Sequence, residues 1–406
     1  MKTKFILSSV IIAAISISAV NAKNKKKVEK PQDYVFTTVK ELPITSIKNQ
    51  SSSSTCWSFS TISFLESEAI KKGASKDIDL SEMFPVYMGY SDKADKYIRL
   101  SGNLNFAPGS SFGDVLYTLK HYGMVPDKEM NGLNYGDTIH RHAEMDAVTK
   151  AYVDAILKRP HKRLTTAWHR GFNGILDSYL GKVPEKFVVD GKEYTPKSYA
   201  EALKLNADDY VSITSFTHHP YYTSFPIEVP DNWRWDLSYN VTLDDLVRIM
   251  DYAIENDYTI AWGADVSENG FNRNGIGVVP DIEAIEKAGS DQEKWIGKSY
   301  AVQSMLVGPN KELSITTEMR QKGFDEGTTT DDHGMHIYGI AKDQNGTKYY
   351  MVKNSWGKAG KYNGIWYVSE PYVRYKTLNI VVNKNAIPND IKEKLGIVKH
   401  NLNKVL

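Results

Sequence analysis

Residues 41–130 of this 406-residue chain carry apolar side chains at helical spacing, whereas residues 207–385 contain strand-like apolar runs. Between them, residues 131–206 are richly charged and keep a looser helical rhythm. Helices first and strands last, with little βαβ alternation, predict an α+β fold with a large helical insertion.

Each element has its own signal. Phe59, Ile62, Leu65 and Ala69 recur at helical spacing, and Lys71, Lys72 and Gly73 follow, which predicts an amphipathic helix with a basic end and a glycine stop. Cys56 stands at its start. Val115 to Gly123 predicts a second helix with a glycine exit. In the insertion, Ala143, Val148, Tyr152, Ala155 and Ile156, then residues 167–180, keep the helical period. Tyr210 to Phe216 restores alternation, Leu243 to Asn256 predicts a helix, and Thr259 to Gly263 a strand. Tyr349–Lys353 and Gly364–Val368 predict two strands joined by a glycine-rich loop.

The N-terminus reads as a targeting segment. Lys2 and Lys4 precede an apolar run from Phe5 to Val20, and Val20-Asn21-Ala22 supplies small residues for cleavage. The run is shorter than the roughly 20 residues of a membrane-spanning helix. An uncleaved anchor is the alternative, because Lys23, Lys25, Lys26 and Lys27 follow directly. Cleavage leaves 384 residues (406 − 22), expected outside the cytoplasm, periplasmic or secreted. Residues 23–40 read as a polar, extended or irregular segment and residues 386–406 as a tail. The net charge of +1 gives no electrostatic reason to expect nucleic acid or a stable membrane partner.

One cysteine in an exported chain cannot form an internal disulfide, so stability must come from the core. An unpaired thiol is an oxidation liability, which suggests use, although a free cysteine is often an inert buried side chain. Placing Cys56 at a helix start would favour its thiolate through the helix dipole and unpaired N–H groups. Such a nucleophile needs a histidine to move its proton, an amide to orient that histidine, and donors for a developing oxyanion. Asn354 can orient the ring, and the Gln50 side chain with the Cys56 N–H can serve the oxyanion. His336 leads the alternating run Ile337-Tyr338-Gly339 and is preferred as the partner; His333, in Asp331-Asp332-His333-Gly334, reads as loop.

Gln50 and Cys56-Trp57, a strand led by histidine, and Asn354-Ser355-Trp356-Gly357 together resemble the papain-like cysteine peptidases. The resemblance implies a left helical domain carrying the cysteine and a right antiparallel, barrel-like domain carrying histidine and asparagine. Where the secreted branch bears a disulfide-forming cysteine, this chain has Ser53, Ser54 and Thr55. Cys56 lies 280 residues before His336 and 298 before Asn354, about 140 more than the papain interval. The enlarged, disulfide-free branch, bleomycin hydrolase and aminopeptidase C, is the one this chain resembles. Asp331 to His336, Thr214 to Tyr222 and Lys120 to Pro126 add to the likeness.

Carried over residue by residue, the resemblance makes Cys56 the nucleophile, His336 the acid–base, Asn354 the orienting amide and Gln50 the oxyanion donor. Trp356 would shield the histidine, while Trp57, Gly109 and Ser110 would line the substrate cleft. It also implies peptide substrates, removal of N-terminal residues through an acyl-enzyme, no cofactor and a homohexamer. The tail from Leu395 to Leu406 does not resemble the arm that selects free amines in that branch. An endopeptidase or amidase of the same fold therefore stays open, as does a non-catalytic peptide-binding scaffold. No metal is expected: His-Glu-x-x-His is missing, and His140 and His142 read as solvated residues of a charged helix.

Overall fold

The computed structural model describes residues 33–159, 163–282 and 308–397. The expected signal segment and tail residues 398–406 lie outside this range.

β1 (Thr37–Glu41) is followed by α1 (Cys56–Lys71), α2 (Met83–Arg99) and α3 (Phe112–His121). β1 pairs with a long later strand, so residues 37–40 are extended, one of the two alternatives expected for the polar N-terminal segment. α1 is not amphipathic: residues 57–69 are all buried, Glu66 and Glu68 included. It lies between the helices and the sheet, and its hydroxyls bond inside the protein. Ser58 donates to Glu82 O at 2.6 Å, Ser60 to Cys56 O at 2.7 Å and Thr61 to Trp57 O at 2.7 Å. A helix buried all round must satisfy its polar side chains in this way.

The insertion supplies α4 (Ala143–Leu157), α5 (Ala167–Leu180), the hairpin β2 (Phe187–Val189) and β3 (Lys192–Tyr194), and α6 (Pro196–Ala202). Met145, Val153, Phe172 and Leu176 join the core formed by Phe64, Leu65 and Phe84. The insertion is therefore an extension of the helical half. His142 precedes α4 and is fully buried, contrary to the solvated position expected for it.

The second half contains β4 (Tyr210–Thr214), β5 (Ser224–Pro226), β6 (Leu237–Asn240), α7 (Leu243–Glu255), β7 (Ile260–Ala264), β8 (Phe271–Asn272) and β9 (Ile276–Gly277). After α8 (Thr317–Asp325) come β10 (His333–Lys342), β11 (Lys348–Lys353), β12 (Ile365–Ser369), α9 (Glu370–Lys376), β13 (Thr377–Asn383) and α10 (Asn389–Lys394). The strand order is β5-β6-β4-β13-β7-β10-β11-β12-β9-β8, with β1 added on β10. Among the described residues this sheet is open and mixed. β4–β6 and β9–β12 are parallel pairs, and β5 and β8 at its ends do not meet. The α+β class holds, and the half expected to be antiparallel and barrel-like is an open, mixed sheet.

β10 is long enough to take two partners on one edge: β7 along His333–Ile337 and β1 along Gly339–Lys342. α1 packs on one face of this central region. Leu246, Ile249 and Met250 of α7 share a core with Trp262, Ile337 and Ile380 of the sheet. The start of α1 consequently sits over the start of β10.

The segment before β6 ties the two halves together. Arg234 Nε donates to Asp114 Oδ1 at 2.5 Å and its Nη2 to Asp92 Oδ2 at 2.6 Å, while Trp233 Nε1 donates to Ser110 Oγ at 2.8 Å. The Asp114 side chain is 0% exposed. Arg234→Ala would strand that carboxylate without its counter-ion, and we expect a loss of about 3–5 kcal/mol in chemical denaturation. A loss below ~1 kcal/mol would show that this ion pair does not hold the halves together.

Candidate active site

Cys56 is the first residue of α1 and is half-buried. The backbone N–H groups of Gly334, Trp57 and Cys56 lie on the side of the sulfur and favour its anion. Gly334 belongs to β10, so the helix start and the strand meet at the thiol. A Cβ at Gly334 would come within 2.6 Å of Ser60 Oγ and 2.9 Å of the Phe112 ring. Only glycine permits that approach without displacing its neighbours.

His333 opens β10 and lines the same cavity as Cys56, about 330 Å³ in volume. Its Nε2 lies 2.8 Å from Asn354 Oδ1, and Trp356 stacks on its ring at 4.8 Å between centroids. Asn354 Oδ1 also accepts the Ser355 N–H at 2.7 Å, which fixes the amide with its oxygen towards the histidine. Nε2 must then carry the ring proton, leaving Nδ1 as the basic nitrogen. The described hydrogen bonds include none from the sulfur to this ring. Contacts of that kind commonly tighten only when substrate binds.

His336 lies elsewhere. It is fully buried, its Nδ1 is 2.8 Å from Ser63 Oγ, and it pairs across the sheet with Lys353. The preference for His336 is therefore corrected to His333. Residues 333 and 336 are an odd number apart on one strand, so they face opposite sides of the sheet.

Gln50 is sewn to the segment that follows β11 and carries Asn354. Its N–H donates to Ser355 O at 2.8 Å, and its Oε1 accepts the Ser355 hydroxyl at 2.6 Å. Oε1 is thereby occupied, and Nε2 is left as a donor. Trp57 is 3% exposed and donates its indole N–H to Pro108 O at 3.1 Å, bracing the loop that precedes Gly109. Lys93 Nζ holds the same loop, donating to Ala107 O at 2.8 Å and Gly109 O at 2.6 Å. Ser110 lines the cavity; a Cβ at Gly109 would overlap the Asp231 carboxylate.

Asp231 and Asp331 line the cavity with Cys56, and neither was expected to act in the site. The Asp231 N–H donates to Asp331 Oδ2 at 3.2 Å. Burial, and then the nearby Asp331 charge, push the Asp231 carboxyl up to about 7. The notable signal in the sequence was a pair of acids directly before His333.

The model of the Peptidase C1-like family matches residues 4–100 and 288–403, which include Cys56, His333 and Asn354. The chain belongs to the Peptidase C1-like family. It is similar to "Cysteine proteinase 1, mitochondrial" of Saccharomyces cerevisiae (strain YJM789), with 22% identity over 91% of this chain and 81% of that protein. It is also similar to "Aminopeptidase G" of Lactobacillus delbrueckii subsp. lactis, with 21% identity over 95% of this chain and 91% of that one. The crystal structure of pepw from Lactobacillus rhamnosis covers 89% of this chain and 85% of its own, with a TM-score of 0.64 and 18% identity. These relatives place the chain in the bleomycin hydrolase and aminopeptidase C branch, and the papain-like fold is shared.

For a Peptidase C1-like site, the electrostatics differ from the expectation of a thiolate favoured by the helix start alone. Burial pushes the Cys56 thiol up to about 11, outweighing the three backbone donors. Burial also lowers His333 to about 4, against the opposing effect of Asn354. Each group alone thus favours its neutral form. Transfer of the thiol proton to His333 creates both charges together, so their attraction offsets part of the desolvation cost.

A second polar cluster, His218, His219 and Glu228, brings three metal-ligating side chains together. Gln321 decides its chemistry. Its Oε1 accepts the Thr217 N–H at 2.6 Å, so its Nε2 faces His218 Nδ1 at 3.1 Å. His218 Nδ1 is then the acceptor, and Nε2–H donates to Glu228 Oε2 at 3.1 Å. That tautomer offers no lone pair at Nε2, so a metal would require the network to rearrange.

The pH dependence follows from His333. Above about 4 the ring is neutral and can accept the Cys56 proton; below it the ring is already charged while the thiol is still protonated. We expect kcat/KM to fall about tenfold per pH unit below that point. A profile flat to pH 3 would exclude His333 as the base.

Proposed function

We propose that this chain is a cysteine aminopeptidase that acts through a thioester at Cys56. The observation carrying the proposal is that Cys56 opens α1 in the same cavity as His333, whose other nitrogen is held by Asn354 at 2.8 Å. His333 Nδ1 takes the thiol proton as sulfur attacks the peptide carbonyl carbon. The resulting oxyanion is met by the Cys56 N–H and Gln50 Nε2. Collapse expels the amine, which takes its proton from His333. Water, deprotonated by the same nitrogen, then releases the acid and restores the thiol.

Selection of free N-termini is the finer part of this reading. Asp231 presses against Gly109 at the cavity wall, with Asp331 beside it. A carboxyl raised to about 7 by burial and a like charge is relieved when a cation binds. The α-ammonium of a peptide supplies that cation a residue's length from its scissile carbonyl. The relatives named aminopeptidases support the same reading.

We also read residues 1–22 as an export signal, supported by the basic head, the apolar run and the small residues at its end. Among the described residues no helix is long and apolar enough to cross a membrane. N-terminal sequencing of protein recovered outside the cytoplasm should begin near Lys23.

The activity is tested with aminoacyl fluorogenic substrates beside their N-acetylated analogues. Cys56→Ala should remove turnover while leaving the melting transition in place; undiminished hydrolysis would end the proposal. Asp231→Asn should raise KM for free-amine substrates about tenfold and leave acetylated ones unchanged. An equal effect on both would make Asp231 a structural residue rather than an amine anchor.

A further inference from the structure

His336 is left without a role once His333 takes the acid–base position, yet it is buried directly behind that site. Its Nε2 has no hydrogen-bond partner among the described residues, and neither does Asn354 Nδ2. The two residues are 0% and 1% exposed. Buried donors are rarely left unpaired, because the hydration they lose is then not replaced. Both residues line one small cavity beneath the catalytic strand, together with Ser63, Glu66, Glu82 and Lys353. Its volume accessible to the centre of a water molecule is about 10 Å³, close to the ~10–15 Å³ that one water needs.

We propose that this cavity is the site of a single structural water bridging His336 to Asn354, making His336 a positioning residue for the catalytic amide. The inference rests on the peptidase reading for its consequence, though not for the water itself. The proton positions agree with it. Ser63 Oγ lies 2.8 Å from His336 Nδ1, the acceptor within its reach among the described hydrogen bonds; with the hydroxyl donating there, Nε2 carries the hydrogen. Burial, and then Lys353, lower this histidine well below its usual range, so it holds one proton only. The water accepts from His336 Nε2–H and from Asn354 Nδ2–H, and it donates to a carboxyl oxygen of Glu82, which lines the same cavity. Three partners are usual for a buried water.

The bridge acts on catalysis through Asn354. Oδ1 of that amide is bonded to His333 and to the Ser355 N–H, but among the described residues Nδ2 has no partner to stop the amide from tilting. A water anchored by His336 supplies the missing constraint. His333 then keeps its ring plane and its Nδ1 lone pair directed into the cavity that holds Cys56.

Two measurements test this. A crystal structure at about 1.2 Å should show one water within hydrogen-bond distance of both nitrogens; an empty cavity, or a water reaching only one, overturns the proposal. Kinetics test the role. His336→Leu should lower kcat about tenfold with KM changed less than twofold, whereas His336→Gln, which keeps a donor aimed into the cavity, should stay within twofold of wild type. Equal losses in both variants, or no loss in the leucine variant, overturn it. If His336→Leu does not fold, the glutamine variant and its crystallographic water decide. A wild-type protein that hydrolyses no peptide would defeat the peptidase reading while leaving the crystallographic test of the water intact.

Discussion

α1 lies across β10 at Gly334, and much of the site follows from that contact. Because Gly334 has no side chain, the first turn of α1 lies directly against the strand, with Ser60 Oγ and the Cys56 carbonyl oxygen where a side chain would stand. His333 is the preceding residue and is delivered to the same cavity by the strand itself. Nucleophile and base come from opposite halves of the molecule, but one backbone contact sets their separation. The remaining orientation is supplied by amides whose other ends are occupied. Ser355 holds Asn354 Oδ1 with its N–H and Gln50 Oε1 with its hydroxyl, so one residue sets both the histidine tautomer and the free oxyanion donor.

The strand and helix elements were largely legible because their burial follows their periodicity: β11 and β12 lie within a residue of where alternation put them. α1 was found but misjudged as amphipathic. Its serines and threonines look like a solvated stripe in one dimension, whereas in the fold they bond to the backbone and to His336. Sheet closure was not legible at all, since it depends on how the short strands β5, β8 and β9 pair at the edges. Spacing in the sequence says nothing about such pairings.

The histidine was misassigned for a reason that register makes plain. His336 stands opposite Lys353. Continuing that antiparallel register places position 333 opposite position 356 (336 + 353 − 333), and Asn354 shares the face of Trp356 because they are two residues apart. Once Asn354 and Trp356 are accepted, parity selects His333 and puts His336 on the far face with Lys353. That register is a property of the fold, and starting the strand at residue 336 when β10 begins at 333 left His333 in a loop.

The loop before the nucleophile shows what replaces a disulfide. Ser51 and Ser54 sit at φ of 50° and 56°, a left-handed backbone that non-glycine residues adopt only at a cost. In place of a bridge, Ser53 Oγ and Thr55 Oγ1 share a buried hydrogen bond at 2.5 Å, and the Ser53 N–H donates to Gln50 O. The insertion supplies the outer brace: the Ser52 N–H donates to His140 O, and the His142 N–H donates to Ser52 O. This two-bond clasp explains why His142 is buried rather than solvated, because the chain must pass inward to pair with the loop. The extra residues are thus tied to the reaction centre as well as to the helical core. They carry the segment that keeps a strained turn, and with it Gln50 and Cys56, in place without a second cysteine.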